Sequence, residues 1–102
     1  MIEYNKSVRD RIPEIIRAQG KACHVEVLGE ERWVEELNKK LGEELQEYLE
    51  SGSLEELADI VEVVHGIVAA KGRTVEEFEE LRLGKREARG GFDDRLFLVS
   101  VE

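Results

Sequence analysis

Glu44 and Glu47 stand three residues apart, and so do Glu56 and Asp59. On a helix, that spacing places both members of a pair on one side. Only Ser51-Gly52-Ser53 interrupts the chain between the two pairs, a connection short enough to make antiparallel neighbours of the helices that carry them. Four converging carboxylates repel one another severely unless a hard divalent cation sits among them, and oxygen-only ligands suit Mg2+ or Mn2+. Such a cluster most often serves metal-dependent phosphate chemistry. Glu44, Glu47, Glu56 and Asp59 are therefore the candidate metal-ligating and catalytic residues.

Helical angle separates these acids from the others. From about Glu31 to Glu50, Val34, Leu37, Leu41, Leu45, Tyr48 and Leu49 recur at spacings of three and four, the pattern of an amphipathic helix. With Leu37 at zero and about 100° per residue, the apolar arc reaches to about 120°, Glu44 falls at about -20° and Glu47 at about -80°. Glu44 is thus aimed at the core, where an ionised carboxylate needs a partner or a metal. Glu47 lies on the margin. A second helix opens at Ser53, capped in a box with Glu56, and runs through Ala58, Ile60, Val61, Val64 and Val68 to about Lys71. Measured from Leu57, Glu56 falls at about -100° and Asp59 at about -160°, both among packing positions. The capping box accounts for Glu56 equally well. Glu43, Glu50, Glu55 and the acids from Glu76 to Glu80 read as a solvated surface.

The remaining elements frame this pair of helices. Pro13 fits the first turn of a short helix that Gly20 ends. Thr74 and Glu77 repeat the capping pattern and open a third amphipathic helix through Val75, Phe78 and Leu81, followed by the basic stretch Lys85 to Gly91. Residues 23–28 and 95–101 alternate and are rich in β-branched or apolar types, so a small β element pairing the two is expected. The expected architecture is a mainly α antiparallel helical bundle with that small β element, one domain over residues 1–102.

Composition limits what such a domain can bind. The chain carries 15 Lys+Arg against 24 Asp+Glu, a formal net charge of -9. That balance disfavours nucleic acid polymers and anionic membranes as partners. With 41% hydrophobic residues the chain can still form a core. One Cys rules out an internal disulfide framework or a multi-cysteine zinc site. The opening residues lack the pattern of a signal peptide and no apolar run approaches the length of a membrane helix, so a cytoplasmic location is expected. The second helix is apolar on more sides than one small chain easily covers, which favours a homodimer.

The pattern Glu43-Glu44-x-x-Glu47 followed by Glu56-x-x-Asp59 resembles the metal-binding signature of the all-alpha nucleoside triphosphate pyrophosphohydrolases, the MazG-like superfamily that includes phosphoribosyl-ATP pyrophosphatase. Tyr4-Asn5-Lys6-Ser7-Val8-Arg9-Asp10-Arg11-Ile12-Pro13 and Arg89-Gly90-Gly91-Phe92 look like the opening and closing blocks of its small phosphoribosyl-ATP-pyrophosphohydrolase-like branch. The likeness spans nearly the whole chain. It departs at Ser7, where the branch usually has an aliphatic residue, and at Arg11, which replaces a common Lys. It implies that Glu44, Glu47, Glu56 and Asp59 hold metals, that the metals hold a triphosphate, and that an activated water attacks its α-phosphorus. The products would be a nucleoside monophosphate and pyrophosphate, from an ordinary nucleotide or from a modified one removed in house-cleaning. Dimerisation is also what the family would suggest.

A triphosphate needs further positive charge. Lys6, Arg9, Lys40, Lys85, Arg86 and Arg89 are the candidate phosphate-binding residues, each with a surface-solubility role as its alternative. Gly90-Gly91 could offer backbone N–H groups to a phosphate or simply form a turn. His65 falls within an apolar arc, as a core histidine does, and His24 beside Cys23 lacks the further ligands of a zinc site. Trp33 could stack a base or pack. The competing class is a non-catalytic acidic helical module that mediates interactions or binds nucleotides without turning them over.

Overall fold

A computed structural model describes residues 2–102, so Met1 of the expected 1–102 unit lies outside the described residues. Four helices make up its regular structure: α1 (Ile12–Ala18), α2 (Glu30–Ser51), α3 (Leu54–Ala70) and α4 (Val75–Arg89). The fold is mainly α, as the periodicities predict. Pro13 lies in the first turn of α1, where its missing N–H has no partner to lose.

The α2–α3 hairpin is the centre of the molecule, and α4 packs more sparsely on α3. Gly52 ends α2 in the left-handed region at φ 66°, a conformation that a β-carbon would disfavour, and its N–H donates to the Tyr48 carbonyl at 2.7 Å. Ser53 then starts α3, its Oγ accepting from the Glu56 N–H at 3.3 Å. With only two residues outside helix, the chain reverses and sets α3 beside α2. Leu37 of α2 sits against Gly66 of α3: a β-carbon at Gly66 would meet both Leu37 methyls at 3.7 Å. Gly66 falls at about 180° on α3, so the arc facing α2 is the one that carries Asp59 at about -160° and Glu56 at about -100°. Hairpin geometry and helical angle thus agree on where these two acids point.

α4 runs farther than the expected third helix. It takes in Lys85, Arg86 and Arg89, which the sequence pattern set in a stretch beyond it. Gly84 inside a helix costs only about 1 kcal/mol, and Arg86 and Arg89 in the last turn complement the negative end of the helix dipole.

The β element is not formed. Among the described residues there is no strand, and residues 23–28 and 95–101 run without a ladder. Arg95, the expected first residue of the second strand, has φ 56°, outside the β region. Val27 and the apolar residues from Leu96 to Val101 are almost wholly exposed. Their alternation reports a face that needs covering, and nothing among the described residues covers it.

The same holds for the hairpin. Leu37 and Val68 are the buried hydrophobic residues, while Leu45 and Leu49 of α2 and Leu54, Leu57 and Val61 of α3 remain exposed. The radius of gyration is 17.8 Å, against about 13 Å for a compact chain of this length. The accessible surface is 9334 Å², whereas a compact monomer of this mass exposes about 5,900 Å².

Candidate metal centre

Glu44, Glu56 and Asp59 each contribute a carboxylate oxygen to a group within 4.8 Å of one another. Glu44 is carried to this point by the inward side of α2 and is 6% exposed as a residue; Glu56 and Asp59 are half-buried on the facing arc of α3. Glu47, the fourth expected ligand, is exposed at the rim and does not belong to this group, in keeping with its marginal angle. Its charge nevertheless reaches the site. The Glu56 carboxyl is pushed above the usual glutamate range, first by burial and then by the charges of Glu47, Asp59 and Glu44, with a close side-chain contact to Glu44 adding to the effect.

Two cations offset part of this charge. Lys40 Nζ lies 3.3 Å from Glu44 Oε1, one helical turn away. Arg9 Nη2 lies 2.6 Å from Asp59 Oδ1, reaching across from the segment before α1. These contacts leave Glu44 Oε2 and Glu56 Oε2 buried without a hydrogen-bond partner. A buried acceptor left unpaired is costly, and two facing one another are worse.

The residues fit a hard divalent cation. The donors are all carboxylate oxygens within 4.8 Å of one another, and oxygens sharing one Mg2+ ion at about 2.1 Å lie up to about 4.2 Å apart. The orphaned oxygens are the groups that such an ion would satisfy.

The other expected phosphate-binding residues are more scattered. Lys6 Nζ stands 5.8 Å from the Tyr4 ring centroid, a cation–π arrangement. Arg86 reaches Asp93 at 3.7 Å, and its guanidinium lies against Gly91. Lys85 and Arg89 are exposed on the last turns of α4. Lys40 and Arg9 are therefore the two of the six that the structure brings to the acids. Expected at phosphate, both instead hold carboxylates, Glu44 and Asp59. The i,i+4 spacing of Lys40 and Glu44 carried that signal; nothing in the sequence pairs Arg9 with a residue fifty positions away.

Ser7 is buried with its hydroxyl unpartnered, which no periodicity in its segment signals. The sequence pattern also leaves unmarked a largely apolar groove of about 640 Å³ between α2, α3 and α4, lined by Leu41, Val64, Ile67, Val68, Phe78 and Leu81 together with charged side chains of both signs, Lys71, Arg73, Glu77 and Glu80. His65 and Trp33 are half-buried, as packing residues are. No helix is long and apolar enough to cross a membrane among the described residues. No family model, curated protein or solved structure matches the chain.

Proposed function

We propose that this chain is a divalent-cation-dependent nucleoside triphosphate pyrophosphohydrolase with the bundle architecture of the all-alpha, MazG-like superfamily, in its phosphoribosyl-ATP-pyrophosphohydrolase-like branch. The observation that carries this reading is the carboxylate group of Glu44, Glu56 and Asp59 with two buried, unpartnered oxygens. These three residues, joined by Glu47 at the rim, hold Mg2+ or Mn2+. When bound, the ion supplies Lewis-acid stabilisation of charge on phosphate oxygens.

The reaction is hydrolysis of the α–β phosphoanhydride. A water oxygen bonds to the α-phosphorus as its O–H bond breaks and the proton passes to a carboxylate oxygen of the site and on to solvent, the bond from that phosphorus to the bridging oxygen breaks, and pyrophosphate leaves with the electron pair. Glu44, held by Lys40, fixes the inner wall of the site, and Asp59 and Glu56 form the facing wall. Arg9, Lys6 and the α4 residues Lys85, Arg86 and Arg89 supply positive charge for the triphosphate. The substrate is a nucleoside triphosphate, ordinary or modified, and the enzyme acts in the cytoplasm.

The working form is a homodimer. The surface in excess of a compact monomer is about 3,400 Å² per chain, more than a protomer's half of an obligate homodimer interface, whose total is about 2,000–5,000 Å². A second copy covers the exposed leucines of the hairpin.

The test is pyrophosphate release from a panel of ordinary and modified nucleoside triphosphates, with Mg2+ and with chelator. Release from at least one substrate, dependent on the cation and abolished by Glu44→Gln, is expected. No release from any member of the panel would leave a binding or interaction module instead.

A further inference from the structure

We infer that Arg9 is a resident cation of the acidic site, occupying Asp59 when no divalent ion is bound and displaced from it on metal loading. This inference rests on the metal-binding reading of the three carboxylates. It starts from an asymmetry among the ion pairs. Apart from Arg9–Asp59, every ion pair among the described residues joins groups at most seven positions apart; Arg9 and Asp59 are fifty apart. This one pair ties the segment before α1 to α3, and it falls on a member of the cluster.

The backbone around Arg9 is fixed on both sides. Ser7 is buried two residues before it, and the Arg9 carbonyl accepts from the Ile12 N–H at 3.0 Å, in the turn that begins α1. Asn5, just upstream, holds φ at 46°, a conformation uncommon outside glycine. The guanidinium is thus delivered to Asp59 by a shaped segment. It remains 55% exposed, so it can swing away without unfolding anything.

Electrostatics then sets the competition. The Glu44 side chain is 8% exposed and its Oε2 lacks a partner, so the inner part of the site still calls for positive charge while Arg9 serves only the outer carboxylate. A divalent ion reaching all three carboxylates brings twice the charge to the same oxygens and repels the guanidinium beside it. Once released, Arg9 is free at the mouth of the site, where its fork of N–H donors suits phosphate oxygens. One residue thereby keeps the empty site paired and becomes available to an anion only after the metal has arrived.

Calorimetric titration of the full chain with Mn2+ alone, in the wild type, Arg9→Gln and Arg9→Lys, tests this directly. Removing the competing charge is expected to tighten Mn2+ binding about ten-fold in Arg9→Gln and to leave Arg9→Lys near the wild type. Equal or weaker Mn2+ binding by Arg9→Gln, with the wild type binding normally, would overturn the displacement while leaving the metal site intact. Absence of Mn2+ binding in all three proteins would overturn the metal-site reading itself.

Discussion

Lys40 Nζ stands 3.3 Å from Glu44 Oε1, and among the described residues it is the sole counter-charge on a carboxylate whose other oxygen has no partner. Both side chains are largely withdrawn from water, so the pair is close to a buried one. Removing one member of such a pair strands the other. Lys40→Met is therefore expected to destabilise the metal-free protein by about 2 kcal/mol, since an unpaired buried charge costs more than a net salt bridge contributes. Saturating Mg2+ should recover most of that loss by supplying the missing positive charge. Denaturant unfolding with and without Mg2+ measures both numbers, and a loss that Mg2+ leaves untouched would show that Lys40 only packs.

Metal binding to the folded chain must raise its stability by linkage. At one hundred times the dissociation constant the gain is about 2.7 kcal/mol, a rise of about 12 °C in Tm for a domain of this size. Glu44→Gln combined with Asp59→Asn should abolish the rise in thermal melts with Mg2+ or Mn2+. In chelator the double variant loses the Lys40–Glu44 and Arg9–Asp59 ion pairs while it relieves repulsion among the facing carboxylates, so the metal-induced shift, and not the metal-free Tm, is the readout. A full metal-induced shift in the double variant would place the ion elsewhere.

The N-terminus of α4 gives the protein a defined acid response. Thr74 and Glu77 form a reciprocal capping box, in which the Glu77 N–H donates to Thr74 Oγ1 at 3.1 Å and the Thr74 N–H donates to Glu77 Oε1 at 3.2 Å. The Thr74 N–H, then the Arg73 guanidinium and the Thr74 hydroxyl, hold the Glu77 carboxyl below its ordinary value of 4.5. A carboxyl with a lowered folded pKa stabilises the fold fully above the unfolded value and loses that contribution as pH falls through the folded one. Melting curves of wild type and Glu77→Gln should differ above about pH 4.5, with the wild type the more stable, and converge in stronger acid. A constant difference at every pH would mean that the contribution is not ionic.

The helices and the inward acids were legible in the sequence because both depend on local periodicity. Leu37, Leu41 and Tyr48 define one side of α2, and Glu44 cannot leave that side without breaking the helix. The strands at 23–28 and 95–101 were misread because alternation shows only that one face seeks cover; a ladder also needs a partner, and φ 56° at Arg95 turns the chain out of the β region. The Arg9–Asp59 pair depends on how a loop crosses a helix hairpin, which no local pattern encodes. No local pattern announces the burial of Ser7, which lies in the irregular segment before α1.

The apolar arc of α2 divides in a way that exposes the homodimer reading to a direct test. Its centre, from Glu44 at about -20° to Val34 at about 60°, faces the interior, while Leu45 at about 80° and Leu49 at about 120° are bare. On α3, Leu54, Leu57 and Val61 lie between about 0° and 60°, opposite the arc that packs on α2, and they are bare as well. Burying each such side chain is worth about 1.5–3 kcal/mol, so covering these five is a strong drive to association. Leu49→Glu combined with Val61→Glu places four carboxylates in the interface of a dimer and none in the interior of the monomer. Light scattering should give a dimeric mass for the wild type and a monomeric one for this variant. The variant should also lose metal-dependent stabilisation, because the α2–α3 hairpin that aligns Glu44 with Asp59 would no longer be braced by a second hairpin. A wild type that is monomeric at every concentration would end the dimer reading.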